Sequence, residues 1–248
     1  MNEQIREQLR SLRLPGFIQA WEEQHGNARY TDLTFEERLT FLVQKETLRR
    51  DNQKLARRLK NAKLKQSATL DQVDFSVQRG LNKKKFLELG ELQWVLNHHN
   101  LMIVGPTGVG KSFLASALGD QACKRGFTAR YLKTSTLLSD LLSAKADGSY
   151  SKFTSALAHT DLLVIDEWLR EPLSESHARE ILDLLDDRFR KSSTLFATQF
   201  PVSDWYRLIK DPTLAEAILD RVVHDSLRIE LKGESMRKLT SKIASATT

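Results

Sequence analysis

The sequence predicts an α/β fold, a parallel five-stranded sheet with flanking helices, preceded by a small all-α domain. From residue 100 onward, short apolar runs alternate with amphipathic stretches, which is the pattern of parallel strands joined by helices. Before residue 67, apolar residues recur at helical spacing. A glycine-rich loop lies between the first predicted strand and its helix. We therefore expect a helical domain over 1–66, a connector over 67–99 and an α/β domain over 100–248.

The first domain is expected to contain three or four short helices. Gly and Pro occur there only at Pro15–Gly16 and Gly26, and the run Ile5, Leu9 and Leu12 is typical of a helix face. Thr34 to Glu37 has the form of a capping box and marks a helix start. In the connector, polar residues interrupt the helical pattern, and a further helix is expected over 81–92.

The α/β domain has a regular order of predicted elements. The expected strands are 101–104, 128–132, 162–165, 193–198 and 227–231. The expected helices are 111–125, 134–144, 174–190 and 212–224, with Gly126 ending the first and Ser174 capping the third.

Composition excludes several classes of protein. The single cysteine, Cys123, rules out an internal disulfide and a multi-cysteine zinc site, and we expect it to be a small apolar helix residue. The charged start of the chain is unlike a secretory signal, and no stretch resembles a membrane span, so we expect a cytoplasmic protein without a membrane partner.

The motif GPTGVGKS at residues 105–112 matches the P-loop pattern GxxxxGK[ST] in full, between a strand and a helix. Its glycines let the backbone curl around phosphates, Lys111 reaches the outer phosphates, and Ser112 offers its hydroxyl to Mg²⁺. We expect ATP and Mg²⁺ to bind here. The expected nucleotide-binding residues are Gly105, Pro106, Thr107, Gly108, Val109, Gly110, Lys111, Ser112 and Phe113.

A second motif places Asp166 and Glu167 after the apolar run 162–165, where open α/β sheets bind ligands. Asp166 is a candidate Mg²⁺ ligand together with Ser112, and Glu167 is a candidate base that orients water. The alternative for the pair is a cap on the following loop. The P-loop upstream favours the catalytic interpretation.

Two further sequence signals are less specific for a catalytic role. Thr198 and Gln199 end a strand and are both candidates to contact the γ-phosphate or the water, with a solvent-facing role equally open. Arg221 is a candidate arginine finger for a neighbouring subunit. From spacing alone, a surface salt bridge from Arg221 to Asp220 or Asp225 is the simpler interpretation.

The positive charge is concentrated in the first third of the chain. The net charge is +6, and residues 45–65 hold nine basic residues against Glu46 and Asp51. Leu48, Leu55, Leu59 and Ala62 are expected to form an apolar stripe opposite the basic side chains. Charge alone leaves a solvated basic helix and a phosphate-binding helix equally open. The candidate DNA-binding residues are Arg49, Arg50, Lys54, Arg57, Arg58, Lys60 and Lys63.

The motifs together resemble the IstB-like ATPases, which assist insertion-sequence transposition, and more distantly the DnaC and DnaI helicase loaders of the AAA+ class. The resemblance covers nearly the whole chain and is carried by 14–21, 57–63, 105–112, 166–167, 220–221 and 233–237. It implies that Lys111 and Ser112 are the Walker A pair and that Asp166 and Glu167 are the Walker B pair. It further implies that Thr198 or Gln199 is sensor 1 and that Arg221 acts across a subunit interface.

The chain departs from that family pattern in three places. Trp168, Leu169 and Arg170 stand where the family commonly has Leu-Gly-Tyr, and Gln199 stands where sensor 1 is often Asn. The chain ends soon after Arg237, so we expect no separate C-terminal lid domain.

The resemblance implies an ATPase that assembles as a homo-oligomer on double-stranded DNA and assists a cognate transposase. ATP hydrolysis is expected to be stimulated by DNA. One alternative is a helicase loader whose helical domain binds a protein partner. Another is a P-loop kinase of a small metabolite, which the basic N-terminal segment and the Asp166–Glu167 pair disfavour.

Overall fold

The computed structural model describes residues 3–236, and the chain divides at Arg57/Arg58 into two compact units. The strands are β1 (Asn100–Val104), β2 (Ala129–Lys133), β3 (Leu162–Trp168), β4 (Ser193–Thr198) and β5 (Ser226–Glu230). The helices are α1 (Glu3–Ser11), α2 (Pro15–Gln24), α3 (Phe35–Ala62), α4 (Lys83–Gly90), α5 (Gln93–Leu96), α6 (Lys111–Lys124), α7 (Thr134–Ala146), α8 (Tyr150–Ala158), α9 (Glu175–Arg188), α10 (Val202–Leu208) and α11 (Pro212–Val223). Short 3₁₀ turns occur at Ala28–Tyr30 and Leu70–Gln72.

The first unit is helical, as the spacing of its apolar residues predicts. The capping box is confirmed: Glu37 N–H donates to Thr34 Oγ1 at 3.3 Å, and Thr34 N–H donates to Glu37 Oε2 at 2.8 Å. The expectation of only short helices is wrong, because α3 is one uninterrupted helix of 28 residues. It contains no Gly or Pro that would end it earlier.

The apolar stripe expected along α3 is only partly correct. Ala62 is fully buried, but 59% of Leu48 is exposed. Leu48 stands seven residues before Leu55, and that spacing alone does not ensure that anything packs against it.

The predicted five-stranded sheet is confirmed. All its strand pairs are parallel, in the order β2-β3-β4-β1-β5. Apolar side chains fill the central strands, where Leu101 to Ile103 and Leu162 to Ile165 are nearly inaccessible to water. Burial on both faces requires helices on both sides, which the crossover connections supply.

Three helices of the second unit were not expected, namely α5, α8 and α10, and α5 has only four residues. Helix α8 follows Gly148, and α10 follows Pro201, which is its N-cap. Both have fewer than ten residues, too short for their periodicity to stand out from the turns around them.

Three aromatic side chains pack together under the carboxyl end of the sheet. Trp168 on β3 lies 5.1 Å from Phe196 on β4 and 5.8 Å from Trp205 on α10, measured between ring centroids. All three are buried. This cluster supports the segment that follows Asp166 and Glu167.

Among residues 3–236, no helix combines the length and apolar character that crossing a membrane requires. In that same part of the chain, β5 is followed by no helical lid domain. The Gly233–Arg237 motif is described as far as Met236, and Arg237 lies outside the described residues.

Candidate nucleotide site

The strand order brings the predicted motifs to one edge of the sheet. Strand β4 lies between β1 and β3. Since the strands are parallel, the loop after β1, the acidic pair on β3 and the polar residues after β4 all emerge at the carboxyl edge. A cavity of about 800 Å³ opens there, and Lys111, Ser112, Asp166, Glu167 and Gln199 are among its lining residues.

The loop after β1 requires glycine at two positions. Gly108 has φ +88°, and an added Cβ there would lie 2.2 Å from Ser235 Oγ. Gly110 has φ +99°, and an added Cβ would lie 2.5 Å from an Arg79 guanidinium nitrogen. Both the left-handed backbone and the close approach exclude a side chain.

The guanidinium of Arg79 supports the loop from the connector. It donates to Val109 O and to Asp74 O, each at 2.9 Å, and only 3% of Arg79 is exposed. No local signal in the connector identifies this residue, because its role depends on a loop 30 positions away.

Lys111 opens helix α6 and is folded back onto the loop. Its ammonium donates to Gly105 O at 2.7 Å and to Pro106 O at 2.8 Å. Burial lowers the pKa of Lys111, Asp166 opposes that shift, and the positive charge of Lys65 adds to it. The loop carbonyls thus hold a desolvated cation at the N-terminus of a helix, where anions are favoured.

Ser112 and Asp166 form the centre of the site. Ser112 Oγ donates to Asp166 Oδ2 at 2.6 Å, and the phenol of buried Tyr131 donates to the same oxygen. Burial and the bond to Asp166 raise the pKa of Tyr131, so it remains a donor. Burial pushes the pKa of Asp166 upward, but the bonds from Ser112, Tyr131 and Glu167 N–H with the charge of Lys65 outweigh it, and the pKa is lowered.

The donor atoms at this centre fit Mg²⁺. Ser112 Oγ and Asp166 Oδ2 are hard oxygens, and the ammonium of Lys65 lies 3.1 Å and 3.2 Å from them, which shows that the pair attracts a cation. Residues 3–236 hold no cluster of three or more His, Cys, Asp or Glu that could bind a metal on its own. Mg²⁺ usually takes only one or two protein ligands and completes its shell with phosphates and water.

Glu167 is held by cations and by a strained backbone. It has φ +56°, and its carboxylate lies 3.0 Å from Lys133 Nζ and 3.1 Å from Arg170. Burial raises its pKa, but hydrogen bonds from Lys133 and then Arg170 outweigh burial and lower it. Glu167 is therefore ionised at neutral pH.

The structure shows how Leu169 is accommodated at its position in the loop after Glu167. Leu169 stands where the IstB-like family commonly has Gly, and it adopts φ +54°, the left-handed conformation that Gly takes at no steric cost. Its side chain is fully buried, and this burial offsets the strain.

Thr198 and Gln199 have different surroundings. Thr198 is buried, its hydroxyl donates to Trp168 O at 2.9 Å, and it accepts from Phe200 N–H at 3.1 Å. Gln199 lies on the cavity wall, where its Oε1 accepts from Thr107 Oγ1 at 2.7 Å.

Arg221 does not line this cavity. It lies on α11, where its guanidinium contacts Asp186 of α9 and lies 3.6 Å from Asp220. Within this one chain it makes the surface ion pair with Asp220 that spacing alone suggests, and a second with Asp186.

The predicted DNA-binding residues fall into two groups. Several contact other parts of the chain: Arg49 and Arg50 bind Glu46, Lys54 lies 3.5 Å from Asp51, and Arg58 donates to Cys123 O. The others are exposed and have no ion pair within residues 3–236, namely Arg57, Lys60 and Lys63.

Sequence reasoning missed the side chains that surround the acidic pair from other elements. Tyr131 and Lys133 lie on β2, and Lys65 lies just after α3. The register pairs Lys133 with Asp166, so the sheet order alone places Lys133 beside the site. No motif marks these residues.

The chain resembles solved structures of DNA replication proteins. A DnaI structure superposes with a TM-score of 0.56 at 21% identity, covering 66% of this chain and 90% of that one. A replication initiator DnaA bound to AMPPCP and single-stranded DNA gives 0.58 at 16% identity, covering 74% and 56%. These likenesses show the fold alone: the α/β unit has an AAA+ fold.

Curated relatives match over nearly their full length. A protein of Sinorhizobium fredii named as an insertion-sequence ATP-binding protein is 40% identical over 94% of this chain and 95% of its own. A counterpart in Pseudomonas fluorescens, named for IS1162, is 40% identical over 82% and 88%. One from Mycobacterium tuberculosis is 32% identical over 94% and 93%.

A family model described as IstB-like ATP binding protein matches residues 7–244. That range includes most of the helical unit, the connector and the whole sheet. With the P-loop, the acidic pair and the relatives in agreement, the chain belongs to the IstB-like ATP-binding proteins of insertion sequences.

Proposed function

We propose that this protein hydrolyses ATP with Mg²⁺ and that the bound nucleotide controls its assembly on double-stranded DNA, where it assists a transposase. One observation carries the proposal: a single cavity is lined by Lys111, Ser112, Asp166, Glu167 and Gln199. These are the groups that phosphoryl transfer to water needs, since its catalysis is mostly positioning and charge stabilisation.

The loop residues 105–113 and Lys111 would bind the phosphates. Lys111 now donates to two loop carbonyls and would exchange them for phosphate oxygens, which compensate its charge better. Ser112 and Asp166 would hold Mg²⁺. When bound, Mg²⁺ neutralises charge on the phosphate oxygens.

Glu167 is the proposed base. Its lowered pKa keeps it ionised and able to accept a hydrogen bond from water. Its ion pairs with Lys133 and Arg170 also restrain it, so productive geometry requires the carboxylate to turn away from at least one of them. Gln199 is the proposed sensor, since it faces the cavity beside Thr107, whereas the Thr198 hydroxyl is committed to the backbone.

Arg221 is the proposed arginine finger. Its place outside the cavity of its own chain is consistent with a role in the site of a neighbouring subunit. In an assembly, the guanidinium would leave Asp186 for the phosphates of the next subunit's nucleotide. This arrangement makes a complete site depend on a homo-oligomer and so ties assembly to ATP.

The partners are inferred from the relatives and from charge. The names of the matched relatives refer to insertion sequences, which supports transposition and a cognate transposase. The related DnaA structure was solved with single-stranded DNA. Arg57, Lys60 and Lys63 offer exposed charges for phosphate contacts, which give affinity without sequence choice.

The test is duplex DNA binding and oligomer size, with and without ATP, for Lys111→Ala and Glu167→Gln. Lys111→Ala should lose nucleotide binding and assembly. Glu167→Gln should keep ATP, lower hydrolysis by about 10²-fold or more, and remain assembled on DNA. If both variants assemble and disassemble as the parent does, ATP control is wrong.

A second arm of the same test addresses DNA contacts. Replacing Arg57, Lys60 and Lys63 with Ala should weaken DNA binding and flatten its salt dependence by about three units of slope. The matched control removes three other exposed lysines, Lys152, Lys191 and Lys210. Equal losses in both triple variants would contradict a DNA role for the end of α3.

The helicase-loader alternative predicts a different result. A loader would co-purify with a replicative helicase and would not bind duplex DNA at low salt. That pair of results would replace the transposition proposal.

A further inference from the structure

The feature that carries a further inference is Lys65, just beyond α3. Its ammonium lies 3.1 Å from Ser112 Oγ, 3.2 Å from Asp166 Oδ2 and 3.9 Å from Glu167 Oε1. Only 29% of its side chain is exposed, against 2% for Asp166. One cation from outside the P-loop and the strands thus lies beside both proposed Mg²⁺ ligands and the proposed base.

The segment that carries Lys65 is fixed to helix α6 of the same unit. Leu64 packs against Gly119, where an added Cβ would lie 2.7 Å from the Leu64 side chain. A glycine inside a helix lowers its stability, and here its missing side chain lets Leu64 approach the helix.

Hydrogen bonds fix the preceding turn in the same way. Arg58 donates to Cys123 O at 2.8 Å, and Arg130 donates to Asn61 O at 3.1 Å. Contacts of three residues of the segment, Arg58, Asn61 and Leu64, therefore fix the backbone that carries Lys65.

An ammonium and Mg²⁺ cannot use the same oxygens together. Mg²⁺ binds oxygens at about 2.0–2.1 Å. Lys65 Nζ lies within hydrogen-bond distance of both proposed Mg²⁺ ligands, and its positive charge would repel the ion. One cation must leave when the other enters.

We propose that Lys65 closes the metal centre before nucleotide binds, and that Mg²⁺ with nucleotide displaces it and releases the segment around it from the site. The inference rests on the proposed function and adds a regulatory link to it. Residues Lys60 and Lys63, proposed to contact DNA, lie within five positions of Lys65. Displacement therefore reports the nucleotide state directly to that end of α3.

The link also has a thermodynamic consequence. If Mg²⁺ binding requires Lys65 to leave, then a ligand that binds only the released segment increases the affinity for Mg²⁺. Mg²⁺ in turn increases the affinity for that ligand by the same factor. DNA phosphates bound to Lys60 and Lys63 would hold the released segment in this way. Tighter Mg²⁺-nucleotide binding in the presence of DNA is therefore expected.

The experiment measures the Mg²⁺ concentration that half-saturates binding of a fluorescent ADP analogue to the full chain. Lys65→Met should lower that concentration about tenfold or more. Lys65→Arg keeps the charge and should behave more like the parent. Lys191→Met removes one exposed positive charge outside the cavity and outside the proposed DNA contacts, and should leave the Mg²⁺ dependence unchanged.

Hydrogen exchange gives a readout that does not depend on activity. In the parent, Mg²⁺ with ADP should raise amide exchange over residues 63–68 relative to ADP in EDTA. In Lys65→Met, that segment should exchange faster already without ligand. Circular dichroism shows whether each variant is folded, and Lys65→Gln serves as the second neutral variant if Lys65→Met is not.

Two results would overturn the inference. One is an unchanged Mg²⁺ dependence in both neutral variants. The other is loss of nucleotide binding at saturating Mg²⁺, which would mean that Lys65 binds phosphate instead. If Lys111→Ala still binds nucleotide like the parent, the proposed function itself fails, so the two failures are distinguishable.

Discussion

Neighbouring side chains at the end of β4 illustrate how much a single residue's surroundings decide. Thr198 is buried and bonded to the backbone of β3 and of its own turn, while Gln199 contacts Thr107 on the cavity wall. Their chemistry is similar enough that a strand ending in Thr-Gln predicts either as the sensor. The hydrogen bonds separate their roles.

We expect Thr198→Val to destabilise the fold by about 1–3 kcal/mol, because it leaves Trp168 O and Phe200 N–H without that partner in a buried place. Thr198→Ser keeps the hydroxyl and should recover most of that loss. Urea denaturation measures both.

Gln199→Ala is the comparison at the adjacent position. It should leave the free energy of unfolding nearly unchanged and lower the rate of ATP hydrolysis. If instead Thr198→Ser abolishes hydrolysis in a stable protein, the sensor assignment is reversed.

At the scale of elements, helix α2 is capped by a residue of another helix. Leu14, its N-cap, provides no side-chain hydrogen bond. The amides of Gly16 and Phe17 donate instead to Glu46 of α3, at 2.7 Å and 3.3 Å. Arg49 and Arg50 bind the same carboxylate. Glu46, an acidic residue within the basic segment 45–65, therefore joins α2 to α3.

This cap predicts a pH dependence. The bond from Arg49, opposed by burial and aided by Arg50 and the two amides, lowers the pKa of Glu46 to about 2 from 4.5. Since the folded pKa lies below the unfolded one, the carboxylate stabilises the helical unit above pH 4.5. That contribution is lost as the pH falls from 4.5 toward 2.

Glu46→Gln should therefore cost the helical unit about 2 kcal/mol at pH 7 and remove most of this acid sensitivity. Exchange of the α2 amides, followed from pH 7 downward, measures the effect where it arises. Glu36→Gln, at an exposed site in the first turn of α3, is the matched control. Equal pH profiles for parent and Glu46→Gln would contradict the cap.

At the scale of the whole molecule, one chain contains every proposed catalytic group, but the cavity does not include Arg221. Its guanidinium is instead paired with Asp186 on α9. In the proposed homo-oligomer, a neighbouring subunit would supply Arg221 to each cavity, and hydrolysis would then depend on assembly.

A mixing experiment tests this sharing. Arg221→Ala and Glu167→Gln should each hydrolyse ATP slowly alone. A mixture should regain activity, because about a quarter of randomly formed interfaces combine an intact Glu167 with an intact Arg221. Measuring phosphate release against mixing ratio gives a maximum near equal amounts. A mixture no more active than its components would exclude a finger acting between subunits.

The sequence alone determined the phosphate loop, the acidic pair, the five parallel strands and the family. Each depends on local requirements: glycines within a few positions of Lys111, apolar runs long enough for buried strands, and acids directly after one of them. Such requirements involve residues that are close together in the sequence, so the spacing of those residues is sufficient to identify them.

Only the tertiary structure decided which other side chains meet those motifs. Lys65, Arg79, Tyr131 and Lys133 come from the segments after α3 and from β2, and they reach the site because of the strand order and the packing against α6. Their positions depend on long-range packing, which leaves no periodicity in the sequence. That is why eight residues were sufficient to identify the P-loop, whereas no sequence pattern identified Lys65, which contacts Ser112 of that loop.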